Sequence, residues 1–372
     1  MRPSWIEIDL AAIRSNAAAI REAVAPAALC AVVKADGYGH GDIPAASAAL
    51  EGGASLLAVA LVEEGRGLRE AGIDAPILLL SEPAAEDVGS VVEFDLTPTV
   101  YRTATSAAIG DAAAKIGRAP YPVHVKIDTG MHRVGAPPLE AFPLVRSIAG
   151  DDRLDLAGVW THFAVSEEDT EYTKRQNNAL IEFSAQLSAE GISPGLLHAA
   201  NTAGALDYPE ARHDLVRVGL GLYGLRPAAD SGADVALVPA MRVVSHVSYV
   251  RRLPPGARPS YGRVRALDHA ATVATVPIGY ADGVARRLSM LGGDVLIGGV
   301  RYPFAGSVTM DQIVVDCGDD PVEEGAEVVL LGTQGEEAIT AEEWAERLGT
   351  INYEIVCDFG PRMPRRYRDD RG

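Results

Sequence analysis

Lys34 stands at the end of an apolar run, in "LCAVVKADGYGHG" (29–41), where a charged side chain is out of place. A lysine is rarely buried without a partner, and burial lowers its pKa. The neutral amine so produced is a nucleophile of the kind that forms Schiff bases. The plainer alternative is a stem that covers apolar surface while its head reaches solvent. Further along stand more basic or imidazole groups next to apolar runs: Lys126 and Arg133 in "PVHVKIDTGMHRVG", His162 after "LAGVW", His198 in "GLLHA" and Arg217 in "LVRV". Each alone reads as structural. Their recurrence at the same place in successive units asks which elements carry them.

Short apolar runs recur at 29–33, 56–60, 77–80, 94–98, 122–127, 156–160, 195–199 and 215–218. Helix-like segments lie between, such as "VEEGRGLREAG" and "EYTKRQNNALIEFSAQLSAEG", each ending in a glycine stop. Alanine-rich 10–24 has helical spacing after Asp9 as N-cap. Eight strands alternating with helices predict an α/β fold, a (β/α)8 TIM-type barrel, over an open doubly wound sheet. From about residue 236 strands follow one another between Gly, Pro and Asp turns, as in "MRVVSHVSYVRRLPPG" and "GDVLIGGVRYPF". Residues 1–235 are thus expected to form the barrel and 236–372 a mostly antiparallel β domain. Within the latter, "TAEEWAERLGT" predicts one helix capped by Thr340 and stopped at Gly349.

In such barrels the working groups sit where strands end. Lys34, Lys126, Arg133, His162, His198 and Arg217 then converge on one rim, which implies an anionic ligand. "HAANTAGAL" (198–206) puts Asn201 and Thr202 at a helix start, where free N–H groups bind anions. "RVGLGLYGL" (217–225) places Gly219 and Gly221 after the last strand, where barrels often hold phosphate. A reactive lysine, a phosphate cradle and basic walls together suggest pyridoxal 5'-phosphate.

With those groups in view, "AVVKADGYGHG" resembles the cofactor-attachment motif of the alanine racemase family. "KIDTGMHRVG", "WTHF", "HAANTAGAL", "RVGLGLYG", "SYGR", "IGYADG", "TMDQ" and "INYE" follow in that family's order through nearly the whole chain. The resemblance implies that Lys34 holds the cofactor and is the base on one face of the substrate. It implies that Tyr261 is the base on the other face, supplied by the partner in a head-to-tail homodimer with shared active sites. A tyrosine needs help to act as a base, and the family assigns that help to His162 and Arg217. Arg217 resembles the arginine that contacts the cofactor's pyridine nitrogen. A guanidinium only donates, so that nitrogen would stay unprotonated and side reactions such as transamination would be restrained.

The resemblance further maps cofactor contacts to Tyr38, His162, Asn201, Thr202, Gly219, Leu220 and Tyr353. It maps the substrate carboxylate to Arg133 and the backbone of Met310, with Tyr280 and Tyr353 narrowing the entrance. Lys126 matches a lysine that is often carbamylated in the family. Thr309 departs from a common cysteine and Thr202 from a common serine. No metal site is expected. The implied activity interconverts L- and D-alanine and supplies D-alanine for peptidoglycan of the cell wall. A serine or broad-specificity racemase, a decarboxylase of the same architecture and a non-catalytic pyridoxal-phosphate carrier are the competing readings.

Composition limits the remaining classes. The net charge of −18 opposes a nucleic-acid surface. Three cysteines without C-x-x-C spacing fit a reducing compartment. No apolar leader opens "MRPSWIEIDL" and no run reaches 18 apolar residues, so a cytoplasmic protein with no membrane span is expected.

Overall fold

The computed structural model describes residues 2–369. It divides into two compact units, one of residues 12–37 and 42–238, the other of residues up to Ala11, 38–41 and from Pro239 onward. The first strand, β1 (Trp5–Asp9), lies in the second unit, where it is paired on both edges.

Eight parallel strands build the first unit: β2 (Ala28–Val32), β3 (Leu56–Val59), β4 (Ile77–Leu79), β5 (Thr99–Val100), β6 (Tyr121–Lys126), β7 (Leu154–Trp160), β8 (Leu196–His198) and β9 (Leu215–Val218). They run in two arcs, β4-β3-β2-β9 and β5-β6-β7-β8. A parallel bridge between Leu78 and Thr97 joins one pair of ends, with the Thr97 N–H on Ile77 O at 2.8 Å. At the other pair, the Asp214 N–H reaches Leu197 O at 3.1 Å and the Arg217 N–H reaches Ala200 O at 3.0 Å. The ring is thereby closed, as the strand count predicts. Burial on both faces, by the barrel interior on one side and the surrounding helices on the other, explains why these strands are largely continuous apolar runs. The helix Leu10–Val24 shows how they pack, burying Ile13, Ala17, Ile20 and Val24 at helical spacing.

Two expectations need correction. The apolar run 94–98 is not a strand. Phe94 and Asp95 close the helix Val88–Glu93, Asp95 turns the chain at φ 54°, and pairing begins only with Thr97. Residues 1–235 do not all join the barrel, because β1 hydrogen-bonds to strands drawn from after residue 239.

The second unit carries β10 (Met241–His246), β11 (Tyr249–Leu253), β12 (Ala271–Val276), β13 (Asp294–Ile297), β14 (Val300–Pro303), β15 (Ile313–Asp316), β16 (Glu327–Gln334), β17 (Glu337–Ile339) and β18 (Arg365–Arg368). One sheet runs β14-β13-β16-β10-β1-β18 with β17 on β16, and a smaller one runs β11-β12-β15. All described pairs here are antiparallel except β1 with β18. The β13–β14 hairpin turns through Gly298 and Gly299 at φ 61° and 79°, a geometry that asks for glycine. Thr340 caps the helix Ala341–Leu348 by accepting the Glu343 N–H, and left-handed Gly349 ends it.

Candidate active site

Lys34 is half-buried two residues beyond β2. The chain then does something unusual. Ala35, Asp36, Gly37 and Tyr38 all take left-handed backbone angles, with φ of 54°, 54°, 57° and 53°. For residues with a Cβ this costs roughly 1–2 kcal/mol each, and such strain persists only where the surroundings impose it. The Gly37 N–H closes the turn on Val33 O at 3.0 Å, and Asp36 accepts the Asp42 N–H at 3.3 Å. Lys34 is thus presented by a sharply reversed backbone.

Inside the barrel, register gathers the other basic groups. Lys126 pairs with Trp160 and Trp160 with His198 on adjacent strands, while Arg217 pairs with Cys30. Lys126 Nζ and Arg217 Cζ each lie 4.4 Å from the Trp160 ring centroid, and His198 stacks on that ring at 5.4 Å. Arg217 Nη1 donates to His198 Nδ1 at 2.8 Å. Because arginine can only donate, His198 carries its hydrogen on Nε2, which lies 2.9 Å from His124 Nδ1 and donates to it. Arg217 Nη2 lies 2.8 Å from Ala199 O, 2.9 Å from Thr161 O and 3.2 Å from His162 Nδ1.

This cluster holds several like charges close together. Arg217 is buried, and burial pulls its guanidinium down to about 10, still protonated at neutral pH. Its described hydrogen-bond partners are two carbonyls and two imidazoles, with no carboxylate. Lys126 is 3% exposed, and burial followed by the charges of Arg217 and Arg133 brings its amine down to about 7. The same causes, burial first and Arg217 next, hold His162 and His198 well below the ordinary imidazole range and His124 at about 4. Arg133 is exposed in the following loop, which Asp128 organises by accepting the Gly130 and His132 N–H groups at 3.0 Å each. Asp128 is therefore engaged with its own loop, and Lys126 rests against Trp160 instead of forming an ion pair with it.

The two glycine-bearing segments meet. Asn201 Oδ1 caps the short helix Thr202–Asp207 through the Gly204 N–H at 2.9 Å and also accepts the Ser166 hydroxyl at 3.0 Å. The Gly219 N–H reaches Thr202 Oγ1 at 3.3 Å, and buried Leu220 opens the turn that follows. A Cβ on Gly221 would stand 3.1 Å from Thr202 Cγ2, so glycine keeps this junction tight.

In the second unit the expected groups are carried on turns. Tyr261 is 73% exposed, between Ser260 at φ 67° and Gly262 at φ 72°. Ser260 Oγ anchors this turn on Ser307 O at 2.6 Å. Tyr280 and Met310, 43% and 52% exposed, are brought side by side, since the Tyr280 N–H bonds Thr309 O at 2.9 Å and the Ala281 N–H bonds Met310 O at 3.1 Å. Thr309 closes the "TMDQ" turn, its hydroxyl donating to Gln312 O at 2.8 Å and accepting the Gln312 N–H at 3.1 Å. Tyr38 and Tyr353 have ring centroids 6.2 Å apart, and burial, then Tyr353, pushes the Tyr38 phenol upward.

Three contributors escaped sequence reasoning. His124 had a signal, since it shares a strand face with Lys126 two residues on. Gly158 makes room for it, because a Cβ there would lie 2.5 Å from its Nδ1. Asp282 and Arg2 had none. Fully buried Asp282 receives Arg2 at 2.9 and 2.6 Å and the Gly279 N–H at 2.9 Å, which fixes the turn carrying Tyr280.

Comparison with known proteins places this arrangement. Residues 8–227 match the family model for the alanine racemase N-terminal domain and residues 240–367 that for its C-terminal domain. Alanine racemase of Symbiobacterium thermophilum is 44% identical over 99% of this chain and 97% of its own, and that of Salinispora tropica is 43% identical over 98% of each. Among solved structures, alanine racemase from Streptomyces coelicolor A3(2) superposes with a TM-score of 0.93 at 38% identity, covering 99% of this chain and 98% of its own. The Bacillus anthracis enzyme with bound L-Ala-P gives 0.91 at 37%, covering 100% and 96%. With both domain models matched in order along one chain, this protein belongs to the alanine racemase family.

Proposed function

We propose that this enzyme interconverts L-alanine and D-alanine with pyridoxal 5'-phosphate as cofactor, in two one-proton steps on opposite faces of the α-carbon. The observation that supports this most is the buried cation cluster beside a strand-end lysine. Arg217 is buried without a carboxylate, and the charges of Arg217, Arg133 and Lys34 all act on Lys126 and His162. Such a set suits an anionic ligand. The donor chemistry fits the cofactor: an amine at Lys34 for its aldehyde, a guanidinium that only donates for its ring nitrogen, and the Thr202, Gly219 and Leu220 junction, with Asn201, Tyr38 and Tyr353, for its phosphate. When bound, pyridoxal 5'-phosphate supplies the electron sink that makes the substrate α-proton removable.

The chain's own groups do the rest. Lys34 takes or returns the proton on one face. Tyr261 serves the other, with a phenol that must be held as phenolate. His162 suits that task. Its Nδ1 accepts from Arg217, so Nε2 bears the hydrogen that a phenolate oxygen can receive, and its low basicity keeps it neutral. Arg133 and the Met310 backbone would hold the substrate carboxylate, while Tyr280 and Tyr353 keep the entrance small. A base as exposed as Tyr261 supports a homodimer in which each copy completes its partner's site. A cytoplasmic location and supply of D-alanine to peptidoglycan accompany this reading.

Lys126 has a further part in it. An amine at about 7 is largely neutral just above neutral pH, the form that attacks carbon dioxide. The N–C bond forms, one proton leaves to solvent, and the buried neutral amine becomes a carbamate anion able to pair with Arg133. Carbon-13 NMR with labelled bicarbonate should show a carbamate signal that disappears in Lys126→Ala; its absence from the parent would remove this part of the proposal.

The deciding experiment incubates protein and pyridoxal 5'-phosphate with L-alanine in deuterated water. Loss of optical rotation with α-deuterium incorporation is expected. A yellow protein that leaves alanine unchanged would overturn the assignment in favour of a carrier, and comparable turnover of serine would move it to a broad-specificity racemase.

A further inference from the structure

We propose that Glu64 is a positioning residue for Lys34, a clamp that holds the left-handed turn beside it; this rests on the reading of Lys34 as the cofactor lysine. Glu64 lies in the first turn of the helix Val62–Glu70, just after β3. One of its oxygens has an ordinary local use. Oε2 accepts the Ala60 and Leu61 N–H groups at 2.8 and 3.0 Å, the reach-back that glutamate commonly makes at a helix start. The other oxygen leaves its own element. Oε1 accepts the Ala35 N–H at 2.7 Å, across 29 residues of sequence.

That contact falls where the backbone most needs it. Ala35 is the residue after Lys34 and the first of the left-handed run, so its amide orients the peptide plane that leaves the lysine. Ala35 itself is exposed, so no packing of its methyl group accounts for the conformation. Strained conformations survive where neighbouring structure over-determines them, and charge-assisted bonds to backbone N–H are among the stronger ones available. The same carboxylate grips the loops after β2 and β3 at once, so the rigid start of one helix fixes the reversed turn of the other loop. Glu63, its exposed neighbour, makes no described bond to that turn.

Glu64→Gln keeps the size but brings an NH2 group against backbone donors on one side. The test reads amide hydrogen exchange of residues 35–37 by fragmentation mass spectrometry on the cofactor-free chain. It then reads the rate at which added pyridoxal 5'-phosphate is trapped on Lys34 by borohydride, and kcat and KM for alanine. In Glu64→Gln, exchange at Ala35 should be at least 10-fold faster while β6 and β7 exchange as in the parent. Trapping should slow about 10-fold, and kcat should fall about 10-fold with KM within 2-fold. Glu63→Gln should behave as the parent, which separates the clamp from loss of helix-end charge. Unchanged exchange at Ala35, or faster exchange with parental trapping and kcat, would overturn the proposal. If Glu64→Gln does not fold, the parent decides, because an exposed Ala35 whose amide exchanges at the unprotected rate has no clamp. A parent that never traps the cofactor on Lys34 would defeat the functional reading instead, and the exchange data would still judge the clamp.

Discussion

The two units carry their reactive groups in opposite ways. In the barrel, Arg217, His198, His124 and Lys126 are buried, stacked on Trp160 or hydrogen-bonded in sequence, and burial shifts the titration of each. In the β unit, Tyr261, Tyr280 and Met310 are exposed on turns held by backbone bonds and by neighbouring Ser260, Thr309 and Asp282 side chains. One region tunes protonation by desolvation. The other leaves its groups exposed to solvent on turns. Substitutions should therefore act on fold and charge state in the barrel, and chiefly on function in the turns.

The sharpest contrast lies between the two proposed bases. Lys34→Ala should lower racemisation by about 10⁴-fold or more, and Tyr261→Phe by about 10²–10⁴-fold. Both should leave one base, so α-proton exchange in deuterated water should persist for a single enantiomer in Tyr261→Phe, with an unchanged melting temperature. Exchange of both enantiomers at equal rates in that variant would remove Tyr261 from the mechanism.

Arg217→Glu probes the barrel side more deeply. It deprives the Thr161 and Ala199 carbonyls of their donor, at about 1–3 kcal/mol for each unsatisfied group. A clear drop in melting temperature is expected. A carboxylate beside the ring nitrogen should also favour its protonation, so the pyridoxamine form should accumulate during turnover; equal amounts in parent and variant would refute the proposed restraint.

Acid should find the same region. His124, His162 and His198 are held below the ordinary value of 6.5, so between about pH 6.5 and 4 the unfolded chain binds protons that the folded barrel does not. Stability must then fall as pH is lowered through that window. Urea midpoints measured across it should fall less steeply in His124→Asn, and equal slopes would contradict the buried neutral imidazole.

The smallest effect belongs to the β unit. Thr309→Val removes the hydroxyl that closes the turn before Met310, worth about 1 kcal/mol. A small loss of stability with a raised KM for alanine is expected, whereas an unchanged KM would detach this turn from substrate binding.

Much of this was legible in the chain. The run 215–218 coincides with β9, the helix 10–24 with its alanine-rich periodicity, and Thr340 and Gly349 with the ends of their helix. These are local patterns, set by side-chain period and capping. The run 94–98 misled because apolar residues there close a helix and fill the core without pairing along their length. β1 was misplaced because strand partners are chosen by the sheet and not by neighbours in sequence. Nothing in the sequence foretold that Ala35, Asp36 and Tyr38 would share a left-handed backbone with Gly37.

The sequence by itself determined most of the elements, the order of the motifs and the family, because period, turn residues and reactive side-chain types are written locally. Only the tertiary structure decided which lysine sits near 7, which nitrogen of His198 carries its hydrogen, and that Glu64 reaches Ala35. Those properties depend on how deeply a group is buried and which charges and donors face it, and strands far apart in the chain supply both.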